Sequence, residues 1–236
     1  MASVTRVAPQ RRDERRVNVF LDGRFAFGLD ATLAEERGLR VGQELSPAEV
    51  AALQADDEVR VATDRALAFL TYRPRSVREV RDRLAKKGVE PAVIEAVLAR
   101  LAGWGYVGDE DFARYWVDNR EQHQPRGKRL LRQELWKKGV ERETVARVLE
   151  ESEIDEAAGA LALARKRVAQ FRALDDATKR RRLAAYLQRR GYDYPTIKRA
   201  LDTLLAPADD DADDDGEPFA DSDSYAYEGR TTDPDG

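Results

Sequence analysis

The sequence predicts a mainly α-helical protein made of tandem three-helix repeats, three units in number, behind a small N-terminal β-hairpin. Three observations predict it. Strand-like alternation is confined to residues 17–28. From Ser46 to Leu204 every strong apolar pattern has the helical period. A leucine, a basic pair and a glycine recur in RLAKKGV (Arg83–Val89), ELWKKGV (Glu134–Val140) and YLQRRGY (Tyr186–Tyr192).

Residues 17–21 (VNVFL) and 24–28 (RFAFG) alternate β-branched and aromatic residues across Asp22-Gly23, a pair suited to a tight hairpin turn. DATLAEER (30–37) then reads as a short helix closed by Gly38, and Ser46-Pro47-Ala48-Glu49 as a capping box that opens another. Beyond it the repeat begins. Leu84, Leu135 and Leu187 correspond, as do Gly88, Gly139 and Gly191, at separations of 51 and 52 residues. Val80, Leu131 and Leu183 stand one turn before the leucines, so each helix carries an apolar face. After each glycine, Ile94, Val145 and Ile197 precede Leu98, Leu149 and Leu201 by four residues, which marks another amphipathic helix. Upstream, Ala66, Ala113 and Ala160, then Arg73, Arg120 and Arg167, align at a spacing of 47 and mark a third. Helices this short must bury their stripes against one another and against the next unit. The expected product is an elongated, gently curved rod whose groove suits an extended partner. Its divisions are an N-terminal hairpin and short helices at 1–58, repeats at 59–107, 108–152 and 153–205, and an acidic tail at 206–236, expected to be disordered.

Composition narrows the chemistry. With 42% hydrophobic residues the 236-residue chain can bury cores; no cysteine excludes disulfides and thiolate metal sites, and the single histidine, His123, excludes a histidine-rich zinc site. The N-terminus lacks the apolar core of a signal peptide, and no stretch approaches the roughly 20 apolar residues of a membrane span. A soluble intracellular protein without a cofactor is expected. The net charge of −4 hides an asymmetry: from Ala206 onward there are twelve acidic residues and one basic, which leaves 40 basic against 33 acidic in residues 1–205. A basic body suggests a polyanionic partner. The acid block Asp209–Asp215 is either a solvated tail or a mimic of DNA that folds back on the basic face. No phosphate loop, nucleophile elbow or HExxH pair appears. A carboxylate-metal nuclease would have Asp109 and Asp111, though these fit better as the acidic start of a helix.

The recurring motif has two readings. A glycine just past a helix end adopts the left-handed conformation cheaply, and a cation in the last turn favours the helix dipole by roughly 0.3–1 kcal/mol. One cation would suffice for that. Basic pairs at Lys86-Lys87, Lys137-Lys138 and Arg189-Arg190 place six charges at equivalent points of three units, a ladder suited to an anionic partner. Other cations add to it. Arg126, Lys128, Arg129 and Arg132 open a helix, where positive charge opposes the dipole and points to an external anion. Lys179 and Arg180 stand in the corresponding region of the third unit, and Arg73, Arg75 and Arg78 in the first. For each of these residues a solvated helix face is the competing reading. Trp104, Tyr106, Phe112, Tyr115 and Trp116 read mostly as core; Trp136, beside the second basic pair, is the ring expected to be partly exposed.

Arg73-Pro74-Arg75-Ser76-Val77-Arg78-Glu79-Val80, Gly105-Tyr106-Val107-Gly108-Asp109-Glu110-Asp111-Phe112-Ala113, and Gly127 through Gly139 resemble the RecX regulatory proteins. The resemblance spans roughly Val61 to Leu204 and is weaker in the third unit. It implies a cytoplasmic, non-enzymatic monomer that binds the RecA filament along its groove and inhibits its ATPase and strand exchange, with weak contact to single- and double-stranded DNA. Residue by residue it points to Arg73, Arg75, Arg126, Lys128, Arg132, Lys137 and Lys138. A free-standing DNA-binding helical module is the alternative.

Overall fold

In the computed structural model, which describes residues 1–206, a four-stranded antiparallel sheet, with one α-helix between its third and fourth strands, is followed by nine further α-helices. Strands β1 (Ala2–Pro9), β2 (Arg16–Leu21), β3 (Arg24–Asp30) and β4 (Glu44–Leu45) lie in the order β3-β2-β1-β4. Asp22 and Gly23 both have positive φ, as the two-residue turn between β2 and β3 requires. The sheet is larger than the expected hairpin because β1 adds to β2 and β4 adds to β1. Neither strand is evident from the sequence, since β1 is interrupted by polar residues and β4 has only two residues. Val4, Val19, Phe27 and Leu29 join Leu33, Ala34, Leu45 and Leu53 in one core under the sheet. Helix α1 (Ala31–Glu36) closes this layer.

Helix α2 (Pro47–Leu70) starts at the expected capping box, with both hydrogen bonds between Ser46 and Glu49 present. It serves two cores: Leu53 in its first half packs under the sheet, and Ala62 and Ala66 in its second half pack in the first module. Asp57, between the two, ties the helix to the sheet. Its carboxylate, almost fully buried, accepts from the Arg16 guanidinium at 2.7 Å and from the Asp30 backbone N–H at 2.7 Å.

Three modules of three helices follow. The first combines the end of α2 with α3 (Val77–Lys86) and α4 (Pro91–Gly103). The second is α5 (Asp109–His123), α6 (Lys128–Lys137) and α7 (Arg142–Glu151). The third is α8 (Glu156–Val168), α9 (Asp176–Arg189) and α10 (Tyr194–Leu204). Each has its own core, and the aligned residues fill equivalent places. Leu84, Leu135 and Leu187 are each at most 1% exposed, and Val80, Leu131 and Leu183 are fully buried. Ala66, Ala113 and Ala160, small where helices approach closely, are buried too. Burying one such leucine contributes roughly 2–3 kcal/mol, so the repeated spacing is a folding instruction written three times.

Two expectations about aromatic residues change. Phe112 is core, but Trp104 and Tyr106 are 55% and 59% exposed and meet edge to face. They flank the left-handed Gly105 just past the end of α4, where the chain turns before it enters the second core. His123 ends α5 and is exposed. The acid block Asp209–Asp215 lies outside the described residues.

Candidate functional site

The recurring motif builds the joints between modules. Helices α3, α6 and α9 meet end to end, the N-terminus of one against the C-terminus of the helix in the following module. At the first joint the buried Ser76, N-cap of α3, donates from Oγ to the Lys138 carbonyl at the end of α6 at 2.6 Å. At the second, the Gly127 backbone N–H, at the start of α6, donates to the Arg190 carbonyl at the end of α9 at 3.0 Å. A carbonyl at the end of one helix is thus satisfied from the start of another, by a hydroxyl at the first joint and a backbone N–H at the second.

The glycines permit the approach. Gly88, Gly139 and Gly191 all have left-handed φ, between +76° and +94°. A Cβ at Gly191 would stand 2.3 Å from Leu130 Cβ and 2.7 Å from its backbone nitrogen; one at Gly139 would stand 2.3 Å from Arg78 Cδ. At Gly88 a Cβ would meet nothing within 4 Å. The first module's copy of the motif ends a helix that no module abuts.

The same geometry divides each basic pair. Its first members, Lys86, Lys137 and Arg189, are all exposed. Its second members are half-buried in the two closed joints. Lys138 ion-pairs with Glu79 of α3 at 2.6 Å and sits 5.0 Å from the Trp116 ring centre, while Arg190 lies over Tyr186 at 5.4 Å. Lys87, at the open end, is exposed and makes no ion pair among the described residues.

Around the first joint a part-buried network forms. Glu79 accepts from Arg73 at 2.9 Å and from Lys138; Glu134 accepts from Arg120 at 3.0 Å, from the Trp116 indole N–H at 2.8 Å and from Arg126. Trp116 lies between Lys138 and Arg120, whose guanidinium carbon is 4.3 Å from the ring centre. Four cations thus share two carboxylates. Burial pushes the Glu79 carboxyl up, but hydrogen bonds from Arg73, Lys138 and the Ser76 N–H together outweigh it and hold it at about 2. Arg75 covers Phe69 at 4.0 Å, the place in the first module that Trp116 takes in the second. Burial lowers the pKa of both Arg75 and Arg126, and the Nε of each is buried with no partner among the described residues.

The remaining predicted cations fall into two groups. Arg129 donates to the Gln188 carbonyl at 2.7 Å, and the Lys128 backbone N–H donates to the Glu156 carboxylate at 2.8 Å, so the start of α6 has internal acceptors. Lys179 pairs with Asp176 at 2.9 Å and Arg180 with Asp202. Arg78 is mostly exposed, with Asp82 no nearer than 3.7 Å, and Arg132 is half-buried with no ion pair among the described residues. Trp136 is 38% exposed beneath Arg142, 5.1 Å away. Sequence reasoning did not place Arg120, Glu79, Glu134 and Ser76 in the site. Arg120 carried a signal, its alignment with Arg73; the carboxylates did not. Asp109 is claimed by the fold, since its Oδ1 accepts from the Val77 N–H at 3.0 Å. No group of metal-ligating side chains gathers among the described residues, and no helix there is long and apolar enough to cross a membrane.

Family models of the RecX proteins match four stretches: the regulatory protein RecX N-terminal domain at residues 2–46, and the first, second and third three-helix domains at 62–101, 109–149 and 154–201. The similarity therefore includes the N-terminal sheet and the third module. The chain is 32% identical to regulatory protein RecX of Bacillus subtilis (strain 168) over 212 residues, which is 89% of this chain and 80% of that one. It is 32% identical to regulatory protein RecX of Listeria monocytogenes serovar 1/2a over 148 residues, 63% of this chain and 55% of that one. A crystal structure of regulatory protein RecX superposes with a TM-score of 0.72 at 23% identity, covering 86% of this chain and all of that one. RecX from Lactobacillus salivarius gives 0.58 at 20% identity, covering 63% and 97%. The chain belongs to the RecX family of regulatory proteins, and the family implies a regulatory role on RecA.

Proposed function

We propose that this protein binds the RecA recombinase filament and inhibits its ATPase, strand-exchange and coprotease activities. It acts in the cytoplasm as a non-enzymatic monomer, with auxiliary binding of single- and double-stranded DNA through its basic face. The observation that carries the reading is the recurrence of an exposed, equivalently placed cation, Lys86, Lys137 and Arg189, in three successive modules. Second members of the pairs serve the joints in two modules; the first members make no ion pair among the described residues in any of the three. Repeated unpaired charge suits a partner that is itself repetitive and anionic. Arg75, Arg78 and Arg132 extend the same contact.

The test is RecA ATPase on single-stranded DNA with this protein at substoichiometric and stoichiometric ratios. Inhibition is expected, and no response at any ratio refutes the proposal. A second reading, a free-standing DNA-binding module, is favoured by the exposed Trp104 and Tyr106 beside Arg100, rings of the kind on which bases stack. Salt separates the two. Phosphate-dominated binding weakens steeply as salt rises, whereas a contact with a protein groove retains more affinity. Incubation with DNA and magnesium should give no cleavage.

A further inference from the structure

The first and second modules carry similar side chains at aligned positions and differ in one sign. Phe69 and Trp116 correspond at the spacing of 47, and Arg75 corresponds to Arg126, and Arg83 to Glu134, at the spacing of 51. In the second module Glu134 is the centre of the cluster: its carboxylate accepts from Arg126, from Arg120 at 3.0 Å and from the Trp116 indole N–H at 2.8 Å. In the first module the aligned residue is a cation, so the cluster has no acid of its own at that position. Arg75 and Arg83 instead stand over one ring, with guanidinium carbons 4.0 Å and 5.6 Å from the centre of Phe69. Both are half-buried, neither makes a hydrogen bond or ion pair among the described residues, and the Arg75 Nε is buried. Glu79, which attracts Arg75, is already shared by Arg73 and Lys138. Burial, then the like charges of Arg73 and Arg83, lowers the Arg75 pKa against the pull of Glu79, so these guanidinium groups lie close enough to repel.

We infer that Arg75 and Arg83, beside Phe69, form a binding site for a carboxylate on an acidic side chain of a protein partner, which takes the part that Glu134 plays in the second module. The second module identifies the ligand chemistry. There a single planar carboxylate is already held by two guanidinium groups and the N–H of the ring that corresponds to Phe69, and the fork of a guanidinium matches a carboxylate in paired hydrogen bonds. Half-burial argues the same way: a flexible acidic side chain reaches a recessed guanidinium, whereas the phosphates of a duplex lie on a broad, stiff backbone. Placing that acid on the RecA filament rests on the proposed function; the site itself does not.

Fluorescence anisotropy at low salt, with labelled hexaglutamate and separately with labelled single-stranded oligo-dT, tests the site. R75A and R83A, with circular dichroism unchanged, should each weaken hexaglutamate binding at least about fivefold, because each removes a charge-assisted donor. R165A, which removes an equal charge from an exposed position in the third module, should change it by less than about twofold. R75K keeps the charge but loses the planar fork, so it should weaken the peptide about threefold or more. Oligo-dT should respond to R75A no more than to R165A. R83E gives the first module the arrangement of the second: it should abolish the peptide binding that R75A weakens and slow amide exchange in α3 by about two- to fivefold. Equal losses for R75A and R165A, or wild-type binding by R75K, would overturn the inference. So would an oligo-dT loss as large as the peptide loss, which would make this a phosphate site, or α3 exchange no slower in R83E, which would show that Arg75 lacks no carboxylate. Because the assays use free protein and a synthetic peptide, failure here is distinct from failure to act on RecA.

Discussion

Alanine at Gly191 should destabilise the protein far more than alanine at Gly88, although the two glycines hold the same place in the motif. Both have left-handed φ, +94° and +76°, so each substitution carries the conformational penalty of roughly 1–2 kcal/mol. At Gly88 nothing more is added, because the new methyl enters open space. At Gly191 it meets the Leu130 backbone nitrogen at 2.7 Å and Cα at 3.0 Å, atoms that move only if α6 moves. Overpacking of this kind adds about 1–3 kcal/mol, for a total of about 2–5 kcal/mol. Gly139→Ala should also be costly, since the Arg78 Cδ at 2.3 Å can swing aside but its Cβ at 2.6 Å moves only with α3. Amide hydrogen exchange is the suitable assay, because modules with separate cores need not unfold as one unit. G191A should speed exchange in α6 and α9 by tenfold or more, each tenfold being about 1.4 kcal/mol, and G88A should leave both helices near wild type. Equal effects of G88A and G191A would refute the claim that the third glycine serves a joint and the first does not.

Other outcomes follow from the same geometry. Leu84→Ala, Leu135→Ala and Leu187→Ala should each cost about 2–5 kcal/mol and disturb mainly their own module, as hydrogen exchange would show. Replacing Lys86, Lys137 and Arg189 together with alanine should leave the circular dichroism unchanged and weaken binding to RecA–DNA filaments, and undiminished binding would show that the exposed charges face only water. Lys138→Ala, in contrast, should lower stability by about 1–3 kcal/mol in urea, because it deprives the half-buried Glu79 of one of its partners. Glu79 has a folded-state pKa of about 2 against an ordinary 4.5, so its stabilisation is present above pH 4.5 and is lost as pH falls toward 2. The stability gap between wild type and Glu79→Gln should therefore be constant above about pH 5, at no more than about 3 kcal/mol, and should shrink in acid.

The architecture was legible in the sequence because it rests on short-range rules applied three times. Periodicity located the helices, the Ser46 capping box and the Asp22-Gly23 turn marked their own boundaries, and the alignment of Leu84, Leu135 and Leu187 named core positions correctly. Short strands escaped notice: β4 spans two residues and owes its existence to pairing with β1, which no local pattern encodes.

The candidate site was legible as charge but not as geometry. Spacing shows that Lys138 and Lys87 are equivalent, yet one pairs with Glu79 from another module and the other faces solvent. That difference depends on whether a following helix end arrives, a contact between residues 59 positions apart. The cations at the start of α6 likewise called for an external anion until α9 supplied carbonyls from the other side of the joint.

By itself, then, the sequence determined where helices begin and end, which face of each is apolar, and that a basic pair and a glycine recur, since these follow from interactions within about four residues along the chain. Only the tertiary structure decided which copies of the motif are joints and which is an open end, and so which charges are left for a partner. The physical reason is that a helix terminus exposes the same unpaired groups wherever it occurs, and what satisfies them is set by whichever neighbour the fold brings within hydrogen-bonding distance.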